Sequence, residues 1–154
     1  MSSSLSSEGL AAGEVHLEFE LNAEIERVWT ALTQDIEHWW PKAFYTSERS
    51  KRFVLEAKLG GMMGEVFGPG EGLIWYQVIG VDRPNSLMLS GYLLPPWAGP
   101  GISLARFALT AISETQTKLE FFDSTFGKMS SCSNEEGWQQ IFSEHFKAYV
   151  EASA

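Results

Sequence analysis

The stretch SNEEGWQQIFSEHFKAYV, residues 133–150, decides how the rest of the chain is read. Trp138, Ile141, Phe142, His145, Phe146 and Tyr149 recur at steps of three and four, so a helix here carries one broad apolar stripe. Ser133 and Glu136 have the spacing of a capping box and set its start. A stripe this wide has to be covered by a second layer.

The covering layer lies upstream. From Lys51 to Thr125 the pattern is almost entirely strands, at roughly 52–58, 62–68, 72–81, 86–94, 102–112 and 116–125. Turn chemistry separates them, with Gly60-Gly61, Gly68-Pro69-Gly70, Asp82 to Asn85, Pro95 to Gly101 and Ser113 to Gln116 at the corners. No helical window long enough for a parallel crossover intervenes, so the strands form an antiparallel meander. One more strand precedes them, where Val15, Leu17, Phe19 and Leu21 alternate with His16, Glu18 and Glu20.

Between that first strand and the meander, Ile25, Val28, Trp29 and Leu32 mark a short amphipathic helix, with Asn22 as its expected cap. A second helical piece runs from Gln34 to Trp39, and Pro41 closes it by turning Trp40 out of helical dihedrals. The reading is an α+β helix-grip fold: a curved antiparallel sheet of about seven strands, two short helices after the first, and a long C-terminal helix across the concave face. Residues 1–13, rich in Ser, Gly and Ala, read as a tail, and 14–152 as one domain.

Composition narrows the partners. The formal net charge of −9 repels phosphates, and Lys and Arg stand singly apart from Lys51-Arg52, so nucleic acid and anionic membrane are set aside. No apolar run reaches the roughly 20 residues that span a bilayer, and the N-terminus lacks a secretory pattern. With Cys132 as the one cysteine, a reducing, cytoplasmic setting is expected.

The run Ile25-Glu26-Arg27-Val28-Trp29-Thr30-Ala31-Leu32-Thr33, Trp39-Trp40-Pro41, the Gly60-Gly61 pair and Gly137-Trp138 resemble one group of helix-grip proteins. The order of elements is similar to the START and birch-pollen-allergen superfamily, SRPBCC. Within it, the motifs resemble the family named after the activator of the heat-shock protein 90 ATPase. The resemblance implies an internal cavity and a small-molecule ligand, with a polyketide cyclase or dehydratase-like enzyme and a chaperone-associated interaction domain as alternatives. Eukaryotic activators of this type carry a further N-terminal domain, whereas a short polar stretch stands there in this chain. Self-association into a homodimer stays open.

Candidate site residues follow from the faces of these elements. Trp39, Trp40, Trp75, Phe121, Trp138 and Phe142 are aromatic groups suited to an apolar ligand wall, joined by His145 and Tyr149 on the terminal helix. Trp97 sits in a loop, PPWAGPG, that has the composition of a lid. His145, in the middle of the stripe, is expected to face the sheet, where Asp123 and Glu65 are partners for it; convergence of the three would supply an acid and a base. Gln77, Tyr92 and Arg106 are further polar partners on strands whose inward face the pattern leaves open. The alternative for His145 is a satisfied core histidine, and for Cys132 an incidental loop thiol. His16, His38 and His145 lack ligand spacing, so neither metal nor other cofactor is expected.

Overall fold

A computed structural model describes residues 9–97, 99–128 and 135–152, apart from the side chain of Trp97. Strand β1 (Ala11–Leu21) leads into helix α1 (Ile25–Leu32), the short helix α2 (Ile36–Trp39) and a 3₁₀ turn (Lys42–Phe44). Six strands follow: β2 (Arg52–Leu55), β3 (Met62–Gly68), β4 (Glu71–Asp82), β5 (Ser86–Leu93), β6 (Gly101–Ser113) and β7 (Gln116–Gly127). A second 3₁₀ turn (Pro95–Trp97) joins β5 to β6, and a continuous helix ends the described chain.

The seven strands form one sheet in the order β1-β7-β6-β5-β4-β3-β2, antiparallel throughout. β1 closes against β7 from Ala11↔Gly127 to Leu21↔Thr117, so Ala11 to Gly13 belong to the strand and not to the tail expected there. The meander reads as expected because each strand has one dry face. On β7, Thr117, Leu119, Phe121, Asp123 and Thr125 are buried, and the residues between them are not. β6 places Ser103, Ala105, Phe107 and Leu109 on the same inner side.

Helix α1 buries Val28, Trp29, Ala31 and Leu32. Asn22 does not cap it: Glu24 occupies the cap position, and Asn22 instead donates its backbone N–H to Glu151 Oε2 at 2.8 Å. Its side-chain oxygen accepts from Gln116 at 3.2 Å, which stitches the end of β1 to β7. Trp40 is extended, with ψ of 120°, as its place before Pro41 requires. Gly60 takes φ of 78° in the tight turn before β3, a conformation costly for any residue with a Cβ.

The terminal helix departs from regular winding. It is α-helical over Glu135–Gln140, π-helical over Ile141–Phe146 and α-helical again over Lys147–Ala152. Its buried side chains are Trp138, Ile141, Phe142, Phe146 and Val150. A four-residue step over-rotates by about 40° in an α-helix, so the series 138, 142, 146, 150 would wander off one face. The wider i→i+5 turn takes up that excess. As a result Val150, rather than Tyr149, closes the stripe, and His145 is only half-buried. The expected cap Ser133, and Cys132 beside it, lie outside the described residues.

Candidate functional site

The first turns of the terminal helix do not fill the space above β4, β5 and β6. A pocket of about 650 Å³ remains there, walled by Trp138 and Ile141 from the helix, Leu73, Trp75 and Tyr76 from β4, and Leu93 from β5. Phe44 and Thr46 close one side, and Ser103 of β6 stands in the floor.

Two local irregularities shape this pocket. β3 pairs Met63 with Tyr76 and Gly64 with Ile74, so Trp75 is the extra residue of a β-bulge, and the neighbouring aromatics Trp75 and Tyr76 both reach the wall. β4 and β5 pair only from Gln77↔Ser90 to Asp82↔Ser86. Beyond that point the ladder stops, and the exposed Ile74, Tyr92 and Leu94 stand at the mouth. Gly91, the residue after the last pair, lies close against β4, since a Cβ there would lie 2.2 Å from the Trp75 carbonyl oxygen and 2.9 Å from the Tyr76 ring.

The polar groups of the floor form a chain. Ser103 Oγ donates to Asp123 Oδ1 at 2.5 Å, and the Tyr76 hydroxyl lies 2.9 Å from Ser103 Oγ on its other side. Because the serine has one proton, and that proton goes to the carboxylate, Tyr76 donates to Ser103. The Trp138 indole also donates to Asp123. Burial pushes the Asp123 carboxyl above its ordinary value, while the bonds from Ser103 and Trp138 pull the other way without cancelling it. Burial likewise pushes the Tyr76 phenol up, the Asp123 charge adds to that, and the bond to Ser103 opposes it. Tyr76 is therefore a neutral hydroxyl.

Glu65 does not join this group. It is fully buried in a cradle of its own, where Trp75 Nε1 donates to it at 2.7 Å, Thr46 Oγ1 at 2.9 Å and the Thr46 backbone N–H at 3.0 Å. The Ser50 hydroxyl makes a further short bond to it. These bonds tie the segment before β2 to the sheet and spend the carboxylate on structure. His145 lies on the half-exposed side of the π segment, so the expected meeting of His145, Asp123 and Glu65 does not occur.

Of the aromatic candidates, Trp75 and Trp138 line the pocket. Trp39 donates its indole N–H to the Ala31 carbonyl at 2.7 Å and packs on Phe146, which makes it core. Trp40 stacks on Phe53 at 4.0 Å, one layer behind Trp75. Phe121 and Phe142 are buried beneath Trp138 in the central cluster. Tyr149 belongs to another group, with its hydroxyl on Asp35 at 3.1 Å and the Arg27 guanidinium 5.1 Å above its ring. The side chain of Trp97 lies outside the described residues.

Gln77 points outward into solvent, and Arg106 stacks over Phe122 at 4.1 Å on the outer face. On that outer face His16, Glu18 and Glu120 bring their ligand-capable atoms within 4.8 Å of one another, with His16 hydrogen-bonded to Glu120 at 3.0 Å and Lys118 beside it. Ser103 and Tyr76, absent from the sequence candidates, are the residues that give the pocket its polarity.

The sequence profile described as Activator of Hsp90 ATPase homolog 1-like protein matches residues 22–151. The chain belongs to this family. No curated protein matches it. Among solved structures, a protein from Mesorhizobium loti superposes with a TM-score of 0.65 at 21% identity, covering 92% of this chain and 98% of its own. A Rhizobium leguminosarum protein gives 0.64 at 19% identity over 93% and 98%. A conserved protein of unknown function from Enterococcus faecalis gives 0.62 at 14%, over 99% and 85%. At such identities the likeness concerns the helix-grip fold, and the pocket's chemistry rests on this chain's own residues. Among the described residues no helix is long and apolar enough to cross a membrane.

Proposed function

We propose that this member of the Activator of Hsp90 ATPase homolog 1-like family binds a small, largely apolar molecule between the terminal helix and β4 to β6. The observation behind this reading is the pocket itself. Its volume of about 650 Å³ lies within the range of about 300–1,000 Å³ usual for ligand sites, and its walls are aromatic and aliphatic around a few hydroxyls. A flat two-ring compound would lie against Trp75 and Trp138 with its polar end toward Tyr76 and Ser103.

An acid–base enzyme would need a second proton-exchanging group beside Asp123; among the described residues Tyr76 is held neutral by burial, Glu65 sits in its own cradle, and His145 lies on the half-exposed side of the terminal helix. The chaperone-associated reading draws on the family's description. A single cysteine agrees with a reducing, cytoplasmic setting.

The test is a thermal-shift series with naphthalene-sized aromatics, backed by native mass spectrometry of the protein as purified. A compound held at a hundredfold its dissociation constant adds about 2.7 kcal/mol of stability. Leu73→Trp, which places a large ring in the pocket, is expected to abolish the shift. Failure of every apolar compound to raise the melting temperature, or a shift unaffected by Leu73→Trp, would sink the proposal.

A further inference from the structure

We infer that the Tyr76–Ser103–Asp123 chain is a reversible hydrogen-bond relay that sets which end group the pocket accepts: a donor while Asp123 is ionised, an acceptor once Asp123 carries a proton. This deepens the ligand-binding reading and rests on it. The ligand class that follows is an uncharged apolar body with one polar terminus, such as a phenol or alcohol in the first state and a ketone or aldehyde in the second.

The argument is one of proton counting. With Asp123 ionised, the Ser103 proton goes to Oδ1 and the Tyr76 proton to Ser103 Oγ. Only lone pairs then face the pocket, on Tyr76 and on Ser103, and a ligand O–H or N–H satisfies them. A ligand carbonyl would meet acceptor against acceptor, and leaving it unpaired there costs the desolvation of the group.

Protonation turns the whole chain round. The Trp138 indole N–H can only donate, so it holds its place on the carboxyl in both states. A proton on Asp123 needs an acceptor in a site that is almost closed to water, and Ser103 Oγ is the partner at hand. Ser103 then gives its own proton to Tyr76, and Tyr76 directs its O–H into the pocket. No heavy atom has to move.

Among the described residues the groups that face Asp123 are few. Tyr76 comes from β4, Ser103 from β6, Trp138 from the terminal helix, and Val15 stands opposite on β1. Tyr76 is the titratable one, and burial keeps it neutral, so the switching proton belongs to Asp123. Burial pushes the carboxyl above its ordinary value, and the bonds from Ser103 and Trp138 oppose that push. Asp123 is a positioning residue, and Tyr76 and Ser103 are the ones that touch the ligand.

The experiment compares three probes of one shape, naphthalene, 2-naphthol and 2-acetonaphthone, by calorimetric titration between about pH 4 and pH 8. Naphthalene reports whether the pocket takes an apolar body, and in a variant whether the pocket is intact. The preference for naphthol over ketone is expected to rise with pH, by up to about tenfold per unit within the Asp123 titration, with the ketone taking up a proton on binding. Asp123→Asn, which lies behind the lining residues, removes the titrating proton, so it is expected to flatten the ratio while naphthalene still binds. A ratio independent of pH in a protein that binds naphthalene, or one that still varies with pH in Asp123→Asn, overturns the relay alone. Failure of naphthalene to bind the unaltered protein overturns the ligand reading beneath it.

Discussion

Trp75 Nε1 donates to Glu65 Oε2 at 2.7 Å, so the residue that forms one wall of the pocket is held by a carboxylate wholly shut off from solvent. The same carboxylate takes the Thr46 backbone N–H, the Thr46 hydroxyl and the Ser50 hydroxyl. One buried group thus fixes both the aromatic wall and the loop that closes beside it. Glu65→Ala strands these donors, and each stranded buried group costs about 1–3 kcal/mol, so a total loss of about 4 kcal/mol is expected in urea denaturation. Glu65→Gln keeps one acceptor oxygen and is expected to lose about half as much. Equal losses for the two, or a loss under about 1 kcal/mol for alanine, would contradict a hydrogen-bonded anchor.

Gly91 governs the pocket from the other side. A methyl group there would sit 2.2 Å from the Trp75 carbonyl oxygen, which is backbone and cannot swing away, and 2.9 Å from the Tyr76 ring. Gly91→Ala is expected to push β4 from β5, lowering stability by about 1–3 kcal/mol, the usual cost of overpacking. The Tyr76 fluorescence environment and the affinity for naphthalene should change with it. Gly68→Ala, where a Cβ meets nothing within 4 Å, is the matched control and should leave the pocket unaltered.

The fold was legible in the sequence where one face was wet. β1 alternates Leu17 and Phe19 with Glu18 and Glu20, and that contrast fixes both element and face. β6 offers no such contrast. Ile102 and Leu104 are 46% and 45% exposed on its outer face, so both phases of the alternation look apolar, and the inward Ser103 was hidden in a run that reads alike from either side. On β4 the bulge at Trp75 breaks the period of two, which conceals that Trp75 and Tyr76 share a wall. Asp123 was legible because Leu119 and Phe121 precede it in phase on a clean strand. The partners of Glu65 come from a loop whose path no periodicity records.

Asp123 and Glu151 give opposite pH dependences. Burial raises Asp123 above its unfolded value near 3.9, so between the two values the folded state binds more protons and stability falls as pH rises. Asp123→Asn removes that fall, and its stability relative to the unaltered protein is expected to improve as pH climbs through the window and then level off. For Glu151, burial pushes up, but the Asn22 N–H and the Lys147 ammonium outweigh it and hold the carboxyl low. Its contribution is present above an unfolded value near 4.3 and is lost as pH drops through the folded one. Glu151→Gln is therefore expected to be less stable at neutral pH and to converge with the unaltered protein in acid. Denaturation series at stepped pH read both, and two difference curves sloping the same way would refute the pair of assignments.

The π-helical segment makes a prediction that regular helical geometry reverses. With Trp138, Phe142 and Phe146 buried, an α-helix would bring Tyr149 next to the sheet and turn Val150 aside. The wider turn over Ile141–Phe146 buries Val150 completely and leaves His145 and Tyr149 half-exposed. Truncating a fully buried side chain removes its transfer energy and leaves a cavity, so Val150→Ala is expected to cost about 2 kcal/mol. His145→Ala, with no buried partner to strand, should stay within about 0.5 kcal/mol. Tyr149→Phe gives up the bond to Asp35 and should cost about 1 kcal/mol. Guanidinium denaturation of the three variants orders them directly. A larger loss for His145→Ala than for Val150→Ala would mean that the helix winds without its π turn and that the imidazole faces the sheet after all.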